Sequence, residues 1–477
     1  MKKHASLAIH CFRRLLWPLA IRASYPAVLT GALILICSLF AGTAAQAGTL
    51  ADLVKQARER NLSLQISDLE IEQSFIEEKK AYNALIPDVN LSANKTHRTF
   101  KDAYQSSSPS SIDSILSYSL RLTQSYPGLG RIPSIQKEIA RLKIGIKETL
   151  KSNQEINVLK ELGRIYFKLI RDNELIKVHK TDLVLIAELM KIAKLNEELG
   201  LVLHNDVLRI EVEQLNSNTE MVKAQNSFDD LIYDMAAILD TPSCNLASLT
   251  LPVSLKFAPA SYSNEALLDS MFEIDNDIKL ARTDFEILKK ATKSARSAHL
   301  PTLSFEGAYN HGEEMGPIKN TRDITTTFML TTPVYNGNDI ENSVRLAQKS
   351  AEIASLRIKN LSNSKRAVLE KAVADYNNTL ARINFAEKMA EQSFENMRIV
   401  FSRYQEGASS IVELVDAQRL LTNSAQTAIK AYYDEREKHL DILLLVHHFD
   451  NIVRLDENPS PLSFDFLMKT LNLGGTK

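Results

Sequence analysis

The sequence predicts a mostly α-helical fold with a smaller number of β-strands, arranged as an internal two-fold repeat. Residues 81–91 read Ala-Tyr-Asn-Ala-Leu-Ile-Pro-Asp-Val-Asn-Leu, and residues 295–305 read Ala-Arg-Ser-Ala-His-Leu-Pro-Thr-Leu-Ser-Phe. Both place two alanines three apart before an apolar residue, a proline and an alternating stretch, which indicates a duplication. Proline is also absent between Pro133 and Pro242 and between Pro333 and Pro459. Because ordinary helices average about 11–12 residues, spans of this length predict very long helices.

The first 47 residues predict a cleaved export signal. They contain five basic residues and no acidic one, and an apolar run over 27–41 precedes Ala-Gln-Ala at 45–47. This order is typical of a secretory signal with an A-x-A cleavage site. The chain is therefore expected to comprise a signal peptide over 1–47, a first repeat over 48–250, a second repeat over 251–455 and a tail over 456–477.

The composition of the mature chain excludes several classes of protein. Removal of the signal changes the net charge from −1 to about −6, and this mild acidity gives no reason to expect a nucleic-acid partner. Only Cys244 remains, so no disulfide forms within the mature chain. No later stretch has the roughly 18 continuous apolar residues that a membrane-spanning helix needs. An exported chain of this kind is either soluble beyond the inner membrane or crosses the outer membrane as strands.

The proline-free spans predict two helical hairpins, over about 134–240 and 338–450. Apolar residues recur at spacings of three, four or seven, which is typical of a coiled-coil seam. The seam residues are Leu162, Tyr166, Leu169, Ile176, Leu183 and Met190 in the first half, and Leu369, Tyr376, Leu380, Ile383, Ala390, Phe394, Met397, Phe401 and Tyr404 in the second. Gly200 and Gly407 are expected to end the long helices, because glycine accepts the left-handed conformation.

Four stretches alternate between apolar and polar residues, which predicts strands over about 88–97, 114–126, 302–311 and 323–334. Such alternation is typical of outer-membrane strands, although two soluble hairpins packed on the helices would show it as well. Four strands cannot close a barrel, and open edges do not occur in lipid. A membrane location would therefore require several chains to pool their strands.

The chain resembles the TolC-like outer-membrane efflux and secretion channels over nearly all of its mature length. The resemblance rests on motifs that occur in order in both halves. These are Leu53…Ala57…Asn61 and Leu267…Met271…Asp275, the Ala-x-x-Ala-x-apolar-Pro stretches at 81–87 and 295–301, the turns at 126–130 and 332–337, Gly200-Leu201-Val202 with Asp206-Val207, and Tyr404-Gln-Glu-Gly407 with Leu414-Val415-Asp416-Ala417-Gln418-Arg419.

The resemblance implies a homotrimer in which each chain gives four strands to a shared twelve-stranded barrel and its helices to a periplasmic tube. Pro87, Pro127, Pro301 and Pro333 would mark the junctions between helix and strand, where proline ends helical hydrogen bonding. The implied function is an outer-membrane exit duct for an efflux pump or a type I secretion system. Its implied partners are a periplasmic adaptor, an inner-membrane pump and outer-membrane lipid.

Glu413 and Asp416 match the acidic rings that narrow the periplasmic end of the tube in this family. Their spacing of three places them on one helix face. Three copies of each would concentrate negative potential and attract cations. The alternative from the residues alone is that Glu413 stabilises the helix N-terminus and Asp416 is only solvated.

The two hairpin tips are the implied docking surface for the adaptor, with Gly200, Leu201, Val202 and Asp206 in the first tip and Gly407, Ala408 and Ser409 in the second. The apolar run Leu201–Leu203 is either covered by a partner protein or packs between neighbouring helical hairpins. At Ser409, the best-known family member has an arginine that helps to hold the closed state. A gate held by that arginine is therefore not expected here.

No motif indicates an enzyme, a cofactor or a metal site. His439 and His447 lie about two helical turns apart, too far for one metal ion, so they and His448 are interpreted as core or surface histidines. The main alternative function is a soluble periplasmic coiled-coil adaptor or scaffold. Such adaptors usually have one helical hairpin, whereas this sequence predicts two.

Overall fold

A computed structural model describes residues 50–99, 112–242, 264–314 and 321–446. The predicted signal peptide, the predicted C-terminal tail, Cys244, His447 and His448 lie outside the described residues. All the described residues belong to one compact unit.

The described elements follow the same order in both halves of the chain: two helices, two strands, one very long helix and one shorter helix. The first half comprises α1 (Leu50–Arg60), α2 (Leu62–Asn83), β1 (Asp88–Thr99), β2 (Ile112–Tyr126), α3 (Arg131–Glu198) and α4 (His204–Leu239). The second half comprises α5 (Asn264–Ile274), α6 (Asn276–Ser297), β3 (Thr302–Glu314), β4 (Thr321–Thr331), α7 (Asp339–Gln405) and α8 (Ile411–Leu445). The fold is therefore mostly helical with four strands, as the sequence predicts.

The boundaries of two elements differ from the predicted ones because of proline. Helix α3 begins at Arg131, so Pro133 lies in its first turn, where a missing backbone N–H costs no helical hydrogen bond. Strand β4 ends at Thr331 rather than near residue 334, because Pro333 cannot donate to a strand partner. Each described helix lacks the combination of length and apolar character needed to cross a membrane.

The four strands form one antiparallel sheet in the order β1-β2-β3-β4. Its register aligns Leu91, Leu120, Tyr309 and Ile324 in one row across the sheet. The adjacent row is polar and consists of Ser92, Ser119, Asn310 and Asp323. Because side chains alternate between faces, the sheet has one apolar and one polar face, and the polar face also carries the Arg121–Glu306 ion pair at 3.2 Å.

Helix α3 is the centre of the helical part. It packs against α2 and α4 on one side and against α6 and α8 on the other, and both α6 and α8 pack against α7. This order leaves α2 and α4 on one flank of the chain and α7 on the opposite flank. Strands β1 and β4 are the corresponding edges of the sheet.

The motif residues at the start of each half act as helix caps. The Asn61 side chain accepts hydrogen bonds from the N–H groups of Ser63 and Leu64 and donates to the Ile238 carbonyl at 2.8 Å. Asp275 accepts from the Ile278 N–H at 2.9 Å and lies 2.9 Å from the Lys365 ammonium. Asn and Asp are suited to this role because their short side chains reach the free N–H groups of the first turn.

Gly163 lies where α3 packs tightly against α8. A methyl group built on Gly163 would lie 2.6 Å from Cδ2 of Leu440, which is fully buried. Gly163→Ala is therefore expected to lower the unfolding temperature, because overpacking costs about 1–3 kcal/mol and alanine recovers at most about 1 kcal/mol of helix propensity. Thermal unfolding of the purified protein in detergent measures the change.

Gly145 offers a matched control on the same helix. A methyl group there would have no heavy atom within 4 Å, so Gly145→Ala is expected to stabilise the protein by about 0.5–1 kcal/mol. If Gly163→Ala proved as stable as Gly145→Ala, the close approach of α3 and α8 would not be the reason for a glycine at this position.

Candidate functional site

The first hairpin tip is a tight turn between α3 and α4. Gly200 has a φ of 70°, and the Leu201 N–H donates to the Asn196 carbonyl at 2.8 Å, which closes the end of α3. The Asp206 carboxylate accepts a hydrogen bond from the Leu203 N–H at 3.4 Å. The role of Asp206 in the structure is thus to hold the start of α4.

The apolar side chains of the first tip point into solvent. Leu199, Leu201 and Leu203 are 64%, 70% and 73% exposed, whereas Val202 is half-buried. Leu201 and Leu203 therefore do not pack between the hairpins of their own chain. This set of three leucines is called the leucine tip below.

The second tip has the same turn but polar side chains. Gly407 has a φ of 72°, and the Ala408 N–H donates to the Arg403 carbonyl at 2.8 Å. The Arg403 guanidinium donates in return to the Ala408 carbonyl at 3.0 Å. Ser409 follows and is half-buried.

Glu413 and Asp416 are both exposed on the same face of the first turns of α8. Ser410 is the N-cap of α8, and its hydroxyl accepts from the Glu413 N–H at 3.2 Å. The Ser409 hydroxyl donates to the Glu413 carboxylate at 2.5 Å. Glu413 thus lies where the helix dipole favours negative charge, and its carboxylate contacts Ser409.

Asp416 lies close to a cation on its own helix. Arg419 donates through both Nε and Nη2 to the buried Glu213 carboxylate of α4. The hydrogen bond and charge of Glu213, with a smaller contribution from Asp416, hold the pKa of Arg419 above its ordinary value. The acidic face of α8 therefore borders an ion pair that joins the two hairpins.

A continuous apolar core lies directly behind both tips and unites the ends of α3, α4, α7 and α8. It consists of Ile186, Leu189, Ala193, Val207, Ile210, Met397, Val400, Tyr404, Ile411, Leu414, Val415, Ala417 and Leu421. Leu183 and Met190 of the predicted seam are only half-buried, because the contact stripe of α3 shifts to neighbouring residues over this length.

A buried carboxylate connects three helices a few turns above the tips. Asp182 of α3 accepts hydrogen bonds from the hydroxyls of Ser217 at 2.6 Å and Thr422 at 2.6 Å, and from the Gln418 amide. Ser217 belongs to α4, whereas Gln418 and Thr422 belong to α8. This set of four residues, called the Asp182 node, joins the two hairpins through polar contacts in place of apolar ones.

A second buried polar group lies near the other end of α8. Glu435 is fully buried, and burial raises the pKa of its carboxyl group. Burial, together with the charge of Arg436, lowers the pKa of His439 to about 4. His439 is therefore a neutral histidine of the protein core at pH 7. The described residues contain no group of three or more metal-ligating side chains.

The four junction prolines each lie between a helix and a strand: Pro87 between α2 and β1, Pro127 between β2 and α3, Pro301 between α6 and β3, and Pro333 between β4 and α7. Two of the junctions are in contact, since the Leu129 N–H donates to the Pro301 carbonyl at 2.9 Å. Gly128 has a φ of 58°, and a methyl group there would lie 2.6 Å from the Ser297 carbonyl oxygen. Only glycine fits at this contact between the halves.

Comparison with known proteins finds relatives among outer membrane proteins. The model of the family described as "Outer membrane efflux protein" matches residues 267–443. The outer membrane protein TolC of Vibrio cholerae is 23% identical over 412 residues, which cover 82% of this chain and 89% of the relative. TolC of Escherichia coli is 22% identical, with 83% of this chain and 82% of the relative covered. The chain is thus similar to TolC over most of its length, and its second half matches the efflux protein model.

Solved structures of outer membrane proteins have a similar fold. The outer membrane protein VceC of Vibrio cholerae superposes with a TM-score of 0.68 at 17% identity and covers 83% of this chain and 95% of its own. The CmeC outer membrane channel of Campylobacter jejuni gives a TM-score of 0.70 at 15% identity and covers 89% of both chains. These likenesses show that the chain has the fold of outer membrane channels, and the soluble adaptor alternative is not favoured.

Sequence patterns do not identify the buried polar contacts between the hairpins of this chain. Asp182, Glu213 and Gln418 all lie outside the seam residues that the sequence predicts. Nothing in the apolar repeat therefore marks them as buried.

Proposed function

We propose that three copies of this chain form one exit duct, with a twelve-stranded barrel in the outer membrane and a continuous helical tube in the periplasm. The proposal rests on the two flanks of the chain. Over their described length, each has an unpaired strand edge and exposed apolar side chains on its helices.

The first flank has a free strand edge and two apolar stripes. Among the described residues, β1 pairs only with β2. The exposed apolar residues of α2 and α4 lie on the faces opposite to the contacts with α3. They are Leu62, Ile66, Leu69 and Ile76 of α2, and Leu208, Val212, Leu215 and Val222 of α4. Stripes of this kind on a soluble surface indicate a protein interface.

The second flank has the matching features. Strand β4 pairs only with β3 among the described strands, and α7 exposes Ile353, Leu356, Phe385 and Ile399 opposite to its contacts with α6 and α8. Because the two flanks differ, the first flank of one copy meets the second flank of the next. Such a head-to-tail interface closes into a ring, and closure pairs the strand edges that hydrocarbon does not tolerate.

Glu413 and Asp416 are proposed to form the gate and the selectivity element of the duct. Both carboxylates are exposed at the tip end of α8, so three copies would place six acidic groups around the periplasmic mouth. The Ser409 hydroxyl makes one hydrogen bond to Glu413, whereas an arginine guanidinium can bind a carboxylate through two parallel hydrogen bonds. The closed state of the duct is therefore expected to depend less on this contact at the second tip than it would with an arginine at position 409.

The leucine tip and the second tip are proposed to dock a periplasmic adaptor, which couples the duct to an inner-membrane pump for efflux or type I secretion. The three exposed leucines give this surface an apolar contact, while Ala408 and Ser409 give the neighbouring tip a polar one. Energy for transport is expected to come from the pump.

The double variant Glu413→Gln/Asp416→Asn tests the duct and its gate. Reconstituted wild-type protein is expected to form cation-preferring pores in planar bilayers. The variant is expected to lose about tenfold in its cation preference, because fixed charges in a narrow mouth raise the local counter-ion concentration by at least that factor. Reversal potentials in a salt gradient measure the preference.

The matched control is Glu391→Gln/Glu395→Gln, which removes the same charge from exposed sites on α7. These carboxylates already pair with Lys388 and Arg398 of their own helix, so the pore is expected to keep its preference. Equal loss in both variants would remove the gate assignment, and the absence of any pore would remove the duct.

A further inference from the structure

A cavity of about 760 Å³ opens where α2, α3 and α6 meet the helical end of the sheet. Three basic side chains line it, Arg131, Lys293 and Arg296, and none of its lining residues is acidic. Apolar side chains form the other wall, among them Tyr126, Leu129 and Leu300. The cavity therefore combines positive charge with apolar surface.

The three cations are available to a ligand. All three residues are exposed, and none forms an ion pair within 4 Å with another described residue. The charge of Lys293 acts on the Glu138 carboxylate, which already accepts a hydrogen bond from Lys290. That contact lowers the pKa of Glu138, with only a small contribution from Lys293. The positive charge of the cavity is thus left uncompensated.

The position of the cavity relates it to the membrane boundary. Tyr126 lies on the apolar face of the sheet, in register with Leu303, and it is also part of the cavity wall. The adjacent junctions at Pro127 and Pro301 are where strands change to helices. The cavity is therefore at the level where hydrocarbon gives way to the periplasmic interface, with its apolar wall continuous with the face toward lipid.

We propose that this cavity binds the headgroup phosphate of an anionic glycerophospholipid from the periplasmic leaflet, with the acyl chains along the apolar face of the sheet. The inference rests on the proposed orientation of that face toward lipid. Guanidinium groups bind phosphate oxygens in a bidentate manner, and basic pockets at membrane interfaces recognise anionic headgroups. The site would anchor each junction between strand and helix at a fixed depth in the membrane.

Native mass spectrometry of the delipidated full-length mature protein, titrated with phosphatidylglycerol or phosphatidylethanolamine, tests the proposal. Wild type is expected to retain phosphatidylglycerol in preference to the zwitterionic lipid. The variant Arg131→Gln/Lys293→Gln/Arg296→Gln is expected to bind phosphatidylglycerol about a hundredfold more weakly, since each basic residue near an anionic lipid surface contributes about a factor of five.

The matched control is Lys279→Gln/Arg282→Gln/Lys289→Gln, which removes three exposed cations of α6 outside the cavity and is expected to bind as wild type does. The single variant Arg296→Gln gives a milder test if the triple variant does not fold. Equal binding of the two lipids by wild type, or equal loss in the control, would overturn the site. Displacement by inorganic phosphate at equal concentration would show a free-anion site and overturn the lipid assignment. Since the readout requires neither conduction nor a gate, its failure is distinguishable from failure of the duct.

Discussion

The variant Val212→Glu/Leu215→Glu is expected to be monomeric in mild detergent, whereas the wild-type protein is expected to be trimeric. Both residues are more than 60% exposed in the single chain and belong to the apolar stripe of α4 on the first flank. Assembly would bury two carboxylates per interface without a partner, and each such burial costs several kcal/mol. Size-exclusion chromatography with light scattering measures the mass of the assembled species.

The control for this variant is Asn216→Glu/Asn218→Glu, which adds the same charge to α4 on either side of the stripe. Both asparagines are exposed, and the trimer is expected to persist. A stripe variant that remained trimeric would show that this face of α4 is not the seam between subunits, and the ring would need another interface.

Replacement of Asp182 by alanine is expected to have the second largest effect. The substitution removes the acceptor of three side-chain donors in the Asp182 node, and leaving buried donors unpaired costs about 1–3 kcal/mol each. A total destabilisation of about 3 kcal/mol is expected, since the two hydroxyls can turn toward helix carbonyls. Because the node joins α8 to α3 and α4, hydrogen exchange is expected to rise most in the tip halves of these helices.

An exposed ion pair provides the control for the node. Asp68 contacts Lys151 at 2.5 Å, with both side chains more than one third exposed, and such pairs are worth about 1 kcal/mol or less. Asp68→Ala is therefore expected to leave the unfolding temperature and the exchange pattern of the tips nearly unchanged. If Asp182→Ala behaved in the same way, polar contacts between the hairpins would not hold the tip region together.

The sequence predicts the elements of this fold well because each has a strong local cause. The long helices α3 and α7 follow from the absence of proline and from the apolar repeat, and the tip turns follow from Gly200 and Gly407. The alternation in the strands predicts the apolar and polar faces, which the register of Leu91, Leu120 and Tyr309 confirms.

The parts that could not be predicted depend on contacts between distant segments. Nothing near Asp182 in the sequence indicates that Gln418 and Thr422 approach it, since the pairing is set by how α8 packs against α3. The same is true of the cations Arg131, Lys293 and Arg296, which lie in two different helices. The sequence indicates that Ser409 departs from the family that the chain resembles. Its hydrogen bond to Glu413 depends on the conformation of the tip, which the sequence does not predict.

The pairing of β2 with β3 affects how copies of the chain assemble. It joins the two halves of the chain at the centre of the sheet. The free edges are therefore β1 on one side and β4 on the other, and the backbone groups of such an edge can pair only with a strand of another copy. A head-to-tail contact of this kind yields a finite cylinder or an endless fibre, depending on the angle between successive copies. The β2–β3 pairing fixes how the two free edges are placed within each subunit. It is therefore expected to influence that angle, and with it whether the assembly terminates.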